Sequence, residues 1–282
     1  MAFNEKITKA DYYAASDNGS RISFHALMDF ARDGSAYPRK ITGEEPPEEE
    51  TRAMLIGSAT HALVLEGEEV FRRHYQISDG PLDENGKPYS KLTKVYKEWA
   101  AKQTLPTFSC EEGGIIRAMK NAVYGIDPRT GEPCAAAKLL AKGRPEIIVR
   151  FDYCGLPCQS MLDWVNPAYG EVGGEPRGAI IDLKTTADLD KFHWQARDAR
   201  YIHQLAFYQA AVAITTGALM DCYVIAVEKA LHPRVGVFAI DTADLGEAVQ
   251  WNEQRLAELR DARDNSMWLT GYEDIRTLTL KG

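Results

Sequence analysis

The stretch Ile180-Ile181-Asp182-Leu183-Lys184-Thr185 decides how the chain is read. It is apolar and β-branched enough to form a strand, yet it carries a carboxylate and an ammonium two residues apart. Side chains alternate faces along a strand, so Asp182 and Lys184 project from one face and Leu183 from the other. An acid and a lysine on one strand face can hold a hard cation and manage a water molecule at the same place. Most Asp-x-Lys pairs are only solvated strand faces, so this pair needs company before it means chemistry.

Company lies on both sides of it. Asp163 follows Met161-Leu162 at the end of an earlier strand-like run, and Glu146 opens the run Ile147-Ile148-Val149 before that. On neighbouring strands, Asp163 and Asp182 offer two carboxylates to one ion. Mg²⁺ takes oxygen ligands in octahedral array, usually one or two carboxylates with waters and phosphate oxygens. Asp163, Asp182 and the Leu183 carbonyl meet that demand. Lys184 would then orient or deprotonate a metal-bound water, or stabilise the charged transition state. Plain structural uses fit each residue as well. Asp163 can cap a turn, Lys184 can pair with Asp182 or Glu146, and Glu146 can sit exposed on an edge.

Two further features bear on the same site. His61 lies mid-helix in Gly57-Ser58-Ala59-Thr60-His61-Ala62-Leu63, among small residues that let a backbone or ligand come close. A helical His is equally at home in a core or on a surface, because His serves many roles. Tyr201, Gln204 and Tyr208 are spaced to share one helix face. That face is either a wet surface or a polar stripe that orients the lysine or a phosphate.

The remaining elements follow from turn chemistry and periodicity. Residues 1–22 read as an irregular arm, and Ser23 as the N-cap of a short helix from Phe24 to Ala31. A loop of Pro, Gly and Glu runs to about residue 50, and a helix from about Glu50 to Leu65. Residues 78–90 are a loop by composition, followed by helices over 91–103, 111–124 and 133–142. From Gly143 the texture changes to strands at Glu146–Tyr153, Cys158–Val165 and Gly178–Thr185, the first turn being Gly155-Leu156-Pro157. The Gly- and Pro-rich segment Asn166–Arg177 reads as a loop. A helix at Tyr201–Thr215, strands at Asp221–Glu228 and Arg234–Ile240, and a helix from Thr242 to about Leu269 complete the chain. The order predicts an α/β (α+β) fold, a mixed sheet flanked by helices. It is expected as one domain over 1–282, with a helical part to residue 142 that carries His61 and a catalytic core from 143.

Composition sets limits. The 282 residues are 45% hydrophobic and 26% charged, ordinary for a globular protein with a sizeable core. No apolar run reaches membrane-span length, and the N-terminus lacks a signal-peptide pattern. The five cysteines (110, 134, 154, 158, 222) show no metal spacing and read as free thiols in a reducing cytosol, which places the protein in the cytoplasm. The net charge of −8 argues against general binding of nucleic acid. Acid is concentrated, however, with Glu44, Glu45, Glu48, Glu49 and Glu50 around Pro46-Pro47, so a local basic channel is compatible with the total.

Taken in order, His61, Glu146, Asp163, Asp182-Leu183-Lys184 and Gln204-x3-Tyr208 resemble the RecB-like branch of the PD-(D/E)xK nucleases. Gly57 to Glu66 is similar to the "G-x-x-x-H-x-L-x-L-E" helix of the exodeoxyribonuclease VIII (RecE) nuclease domain and its phage relatives. Ser23-Phe24-His25-Ala26-Leu27, Asp182-Leu183-Lys184-Thr185-Thr186, Tyr201-x2-Gln204-x-Ala206-x-Tyr208 and Ala226-Val227-Glu228-Lys229 match the same group, so the resemblance spans about residues 11–270. It implies a restriction-endonuclease-like core and a Mg²⁺-dependent exonuclease, with Mn²⁺ substituting. Such an enzyme digests one strand of linear duplex DNA from its 5′ end and leaves a 3′ overhang for a single-strand annealing partner. It also implies a ring of three or four subunits around DNA, with cations lining the passage. A stand-alone nuclease of phage or prophage type is expected, outside the iron–sulfur branch because no four-cysteine cluster is present. Residue by residue, His61, Asp163, Asp182 and the Leu183 carbonyl are implied as metal ligands and Lys184 as the catalytic lysine. Glu146 would act through water or a second metal, and Gln204 and Tyr208 would position substrate or Lys184. The alternatives within the fold are an endonuclease and a non-catalytic DNA-binding or assembly protein. A ligating neutral imidazole at His61 further predicts that activity falls below about pH 6.5.

Overall fold

In a computed structural model, which describes residues 7–44, 50–172, 175–275 and 277, the run at 180–185 is part of the middle strand of a five-stranded sheet. In chain order the elements begin with α1 (Lys9–Asp17), α2 (Phe24–Arg32), α3 (Tyr37–Thr42) and α4 (Arg52–His61). A π-helical turn (Ala62–Glu66) leads to α5 (Glu68–His74), β1 (Gln76–Ile77), α6 (Lys94–Ala100), β2 (Thr107–Phe108), α7 (Cys110–Val123) and α8 (Ala135–Leu140). Then come β3 (Arg144–Tyr153), β4 (Leu156–Val172), β5 (Glu175–Thr186), α9 (Phe192–Asp198), α10 (Tyr201–Thr216), β6 (Asp221–Glu228), β7 (Val235–Ala239) and α11 (Thr242–Asn265).

The sheet order is β3-β4-β5-β6-β7. Among the described residues of this sheet, β5 and β6 are the parallel neighbours, and a parallel pair needs a crossover, which α9 and α10 provide. Helices cover both faces. Ile180, Val224 and Ala226 pack into a core with Phe207 and Val212 of α10 and Leu256 and Leu259 of α11. Ile181, Leu183, Ile225 and Val227 pack on the other side with Leu63, Met119 of α7 and Leu139 of α8. Burial on both faces explains why β5 and β6 are nearly continuous apolar runs rather than alternating ones. Asp182 and Lys184 are the charged residues that interrupt the apolar stretch of β5 beginning at Ala179, which already marks them. The mixed sheet flanked by helices is the fold class that the order of elements predicts.

The N-terminal helices are shared between the two cores: Phe24, Leu27 and Tyr37 enter the first, and Ala59, Leu63 and Phe71 the second. Ile22 ties the chain to β4, donating its N–H to the Pro157 carbonyl at 2.9 Å and accepting from Gln159 N–H at 2.9 Å.

Several local readings need correction. The arm over 1–22 contains α1, nucleated by a capping box in which Thr8 and Asp11 satisfy each other's backbone N–H. The predicted loop to residue 50 contains α3, and α5 and α9 have no counterpart in the sequence reading. The segment Asn166–Arg177 is strand, not loop, through Val172 and again from Glu175, with Gly170 paired to Arg177. A register shift between Asn166 and Gly170 absorbs the irregular composition. The first hairpin turns at Cys154 and Gly155, both at positive φ (52° and 79°), as a tight two-residue hairpin requires, and Leu156 already pairs with Tyr153. α11 stops at Asn265 because Ser266 adopts a left-handed conformation. Of the acidic loop around Pro46-Pro47, only Glu44 and Glu50 fall within the described residues, and the first six residues also lie outside them. No helix among the described residues is long and apolar enough to cross a membrane.

Candidate active site

The site forms where β4 parts from β5. Their paired residues begin at Trp164 and Ile181. Beyond that point Leu183 donates its N–H to the side chain of Asp163 (Oδ2, 2.9 Å). The carboxylate thus completes a ladder that the backbone abandons, and it is held at the fork. On the far side of β4, the pairs Pro145–Trp164 and Ile147–Leu162 flank Glu146 without including it. Glu146 itself has φ of 53°, a left-handed conformation that is uncommon for a residue with a side chain. This kink takes Glu146 out of the pairing ladder and sets its carboxylate beside Asp163. Strain of this kind is kept where surrounding structure over-determines it, which is common at functional sites.

The third group comes from α4. Gly57 lets the helix approach β5 closely, since a Cβ there would lie 3.3 Å from Thr185 Oγ1. One turn later His61 ends the regular helix, and the π turn that follows closes with Gly67 N–H on the Ala62 carbonyl. His61 Nδ1 lies 3.5 Å from Asp163 Oδ2. One ligand atom from each of His61, Glu146 and Asp163 falls within 4.8 Å of the other two. The Leu183 carbonyl adjoins the same imidazole and raises its proton affinity.

Asp182 and Lys184 form the neighbouring pair. Asp182 is 1% exposed. Its Oδ1 accepts from Lys184 Nζ at 3.0 Å, and its Oδ2 lies 2.8 Å from Nζ without hydrogen-bond geometry, leaving that buried oxygen with no hydrogen-bond partner. The ammonium also sits 4.8 Å from the centre of the Tyr201 ring. Tyr201 is fixed in turn, accepting from Gln195 Nε2 at 2.9 Å, while Gln195 accepts from Thr186 at 2.8 Å. His61, Glu146, Asp163, Lys184 and Tyr201 line one cleft of about 590 Å³, together with Lys9 and Lys229.

Gln204 and Tyr208 are placed differently from the sequence reading. Both are buried and hydrogen-bonded to each other (Gln204 Nε2 to Tyr208 Oη, 2.7 Å), and neither lines the cleft. Tyr208 feels the charges of Asp182 and Asp163, so it lies beneath the carboxylates rather than against solvent. Asp182 lies beside the donors that converge most closely. Among the described residues, the convergent donors are His61, Glu146 and Asp163, and Asp182 is the counter-ion of Lys184. Lys9 went unnoticed in the sequence. It opens α1 and reaches Glu66 at 2.8 Å and Glu146 at 3.4 Å, and the Thr8 capping box was the signal that would have placed it. Glu228 is a clamp: it accepts from Leu189 N–H (2.9 Å) and Arg234 (3.0 Å), leaving Lys229 next to it to line the cleft.

Residues 23–278 match a family described as PDDEXK-like domain of unknown function (DUF3799). The chain belongs to that family. No curated protein matches it. In structure it is similar to a candidate exonuclease from Eubacterium rectale, with a TM-score of 0.61 over 98% of this chain and 96% of the other at 18% identity. That likeness supports the fold. The protein SSO0001 overlaps 49% of this chain and 62% of its own at 11% identity, with a TM-score of 0.26 that bears no weight.

The donor set of this PDDEXK-like chain fits a divalent cation. One imidazole nitrogen and two carboxylates converge, a buried carboxylate oxygen of Asp182 is unsatisfied next to them, and ligands on opposite sides of Mg²⁺ stand about 4.2 Å apart. Burial, reinforced by the Lys184 charge, pushes His61 down to about 4, so its ring is the neutral, ligating form at neutral pH. The acid limb expected near pH 6.5 therefore does not belong to His61. Burial and the Asp163 carboxylate push Glu146 up to about 7, and burial also raises Asp163 and Asp182. Metal must displace a proton from this cluster, so affinity should rise with pH through about 7.

The same shift has a sign for stability. A carboxyl whose folded pKa is raised stabilises below its unfolded value, and the benefit is lost as pH rises to the folded value. For Glu146 that window runs from 4.5 to about 7. The EDTA-treated protein should therefore melt lower at pH 8 than at pH 5. Glu146→Gln should flatten that dependence and raise the metal-free melting temperature at pH 8, while Mn²⁺ should restore the wild type. Melting curves in EDTA across pH 5–8 test this; a variant less stable than wild type at pH 8 would contradict it.

His61 makes a separate prediction. Imidazole nitrogen is a softer donor than carboxylate oxygen, and Mn²⁺, a transition-metal ion, accepts it more readily than Mg²⁺, whereas carboxylates serve both. The wild type should bind Mn²⁺ more tightly than Mg²⁺, and His61→Ala should narrow that gap while raising the metal concentration for half-maximal binding. Calorimetric titration checks it. An unchanged Mn²⁺ affinity in a folded His61→Ala protein returns this residue to a packing role.

Proposed function

We propose that the chain is a divalent-metal-dependent exodeoxyribonuclease of RecE type, a single nuclease domain that removes one strand of linear duplex DNA in the 5′→3′ direction. The observation that carries the reading is the convergence of His61, Glu146 and Asp163 in one cleft with the Lys184 ammonium. His61, Glu146 and Asp163 would hold the ion, with the Leu183 carbonyl beside them and Asp182 joining if Lys184 yields. Bound Mg²⁺ or Mn²⁺ would supply Lewis acidity at a phosphoryl oxygen and a nucleophilic water at neutral pH.

The protein's own groups do the rest. Burial would lower the Lys184 pKa, but Asp182 and Asp163 outweigh it and hold it above the ordinary value. Lys184 is therefore a cation at neutral pH, suited to stabilising charge on the phosphate as it develops rather than to abstracting a proton. Asp182 and the Tyr201 ring fix its position. Lys9 is likewise kept protonated: burial would lower it, but Glu146 and Glu66 prevail. Lys9 and Lys229 line the cleft and would meet flanking phosphates. Gln204 and Tyr208 act as positioning residues beneath the carboxylates.

A closed homo-oligomer of three or four subunits is part of this proposal. It reconciles a net charge of −8 with a polyanionic substrate by confining the contact to an inner surface. So is hand-over of the 3′ overhang to a single-strand annealing protein. Linear duplexes labelled at either end, and covalently closed circles, test the reading. Progressive loss of the 5′ label with circles spared supports it. Cleavage of closed circles promotes the endonuclease alternative, and DNA binding without any cleavage promotes the non-catalytic one.

A further inference from the structure

Between β1 and β2, after the acids Asp79, Asp83 and Glu84, the chain turns basic. From Lys87 to Lys102 it carries five lysines, at 87, 91, 94, 97 and 102, against Glu98 alone, in a protein of net charge −8. All five lysines are exposed, and α6 buries none of its residues. Among the described residues, the only carboxylate within 4 Å of any of these ammonium groups is Glu98, 3.6 Å from Lys94. Leu92 stands 83% exposed and Val95 44% exposed between the lysines. A helix with no fully buried residue and a lysine row that outnumbers its carboxylates contributes little to the core, so its composition asks for a partner.

The segment is nevertheless a built unit. Gly80, at φ of 89°, lets the chain pack against Tyr96 and Trp99, since a Cβ there would lie 2.9 Å from the Tyr96 ring. Tyr89 donates its N–H to the Pro81 carbonyl at 3.0 Å, closing the preceding turn. Gln103 donates to the Trp99 carbonyl at 2.8 Å and accepts from Gln76 of β1 at 2.8 Å. The aromatic side of the unit thus faces inward.

Both ends of this unit are anchored at the rim of the cleft. Tyr75, which lines the cleft, immediately precedes β1. Thr107, at the start of β2, accepts from Arg52 at 2.9 Å, and Arg52 opens α4 just before the lining residues Ala53 and Met54. The segment that carries these lysines is therefore tethered at both ends to the rim of a cleft whose chemistry suits phosphodiesters.

We infer that the lobe from Lys87 to Lys102 is a phosphate-binding surface that grips duplex DNA beside the cleft; this rests on the nuclease reading above. Duplex DNA presents one negative charge per about 1.7 Å of axis, so a row of mobile ammonium groups can neutralise several phosphates without reading sequence. The lobe would set affinity and residence on DNA, and the cleft would set the chemistry.

The test is the triple variant Lys91→Ala, Lys94→Ala, Lys97→Ala in the full chain, with the triple lysine-to-arginine variant as control. Binding to a blunt linear duplex is measured in EDTA at several salt concentrations, and metal-dependent cleavage is measured in parallel. The alanine variant should lose tenfold or more in affinity, and its log affinity against log salt should flatten by about 2 to 3. Its melting temperature and Mn²⁺ affinity should match the wild type, and the arginine variant should bind like the wild type. If the wild type binds and cuts the duplex and the alanine variant binds it equally, with the same salt slope, the inference is wrong while the nuclease reading stands. If the alanine variant loses binding to anionic phospholipid vesicles but not to DNA, the lobe is a membrane surface and the inference is overturned. If the wild type neither binds nor cuts duplex DNA, the nuclease reading falls first.

Discussion

Lys184→Ala is expected to lower the rate of DNA cleavage by about 10²-fold or more, the scale for removing one preorganised charge from a transition state. The reason is electrostatic. Lys184 is largely buried at the wall of the cleft, its charge is fixed by Asp182 and by the Tyr201 ring, and no rearrangement is needed to bring it to bear. The charge matters most as negative charge builds on the phosphate, so the loss should fall on turnover and leave duplex affinity nearly unchanged. Removing the lysine also leaves Asp182 buried without its counter-ion. Metal affinity should then rise or hold, because a freed carboxylate adjoins the donor cluster. Lys184→Ala cutting at the wild-type rate would detach the lysine from the chemistry, and single-turnover assays at saturating metal give the answer.

The second large effect is expected at Asp163. Asp163→Asn keeps an oxygen that can accept the Leu183 N–H, so the fork between β4 and β5 should survive. What is lost is a negative charge shared with His61 and Glu146. Even outer partners of metal ligands cost about 10–100-fold in affinity or activity when removed, so a direct ligand should cost more. Cleavage should become undetectable and Mn²⁺ binding should weaken by at least about 10²-fold, with the fold intact by circular dichroism. Asp163→Asn with wild-type Mn²⁺ affinity would remove Asp163 from the metal site.

Much of this was legible in the sequence because the strands are buried on both faces. In β5 and β6 any polar residue is conspicuous, and Asp182 and Lys184 stand out for that reason alone. Spacing also carried His61, whose small neighbour Gly57 lets α4 approach β5. Other features were hidden for physical reasons. Lys9 enters the site through a helix with little amphipathic pattern, so periodicity could not announce it. The kink at Glu146 is a backbone property that no residue type there would suggest. Gln204 and Tyr208 share a helix face as spacing requires, but spacing cannot say whether that face meets a cleft or a core, and here it meets the core. The Gly- and Pro-rich stretch at Asn166–Arg177 was misread because composition favours turns, whereas pairing of β4 with β5 overrides it. The lysines at 87–102 were visible one by one; only the tethering of their segment to the cleft rim gives them meaning together.

The most direct measurement is cleavage of a linear DNA duplex by the wild-type protein with Mg²⁺ or Mn²⁺, against the same reaction in excess EDTA. The account predicts degradation with either ion, with Mn²⁺ effective at the lower concentration, and none in EDTA. Equal degradation in EDTA, or no degradation with any divalent ion by a protein that binds Mn²⁺ at this cluster, would contradict it.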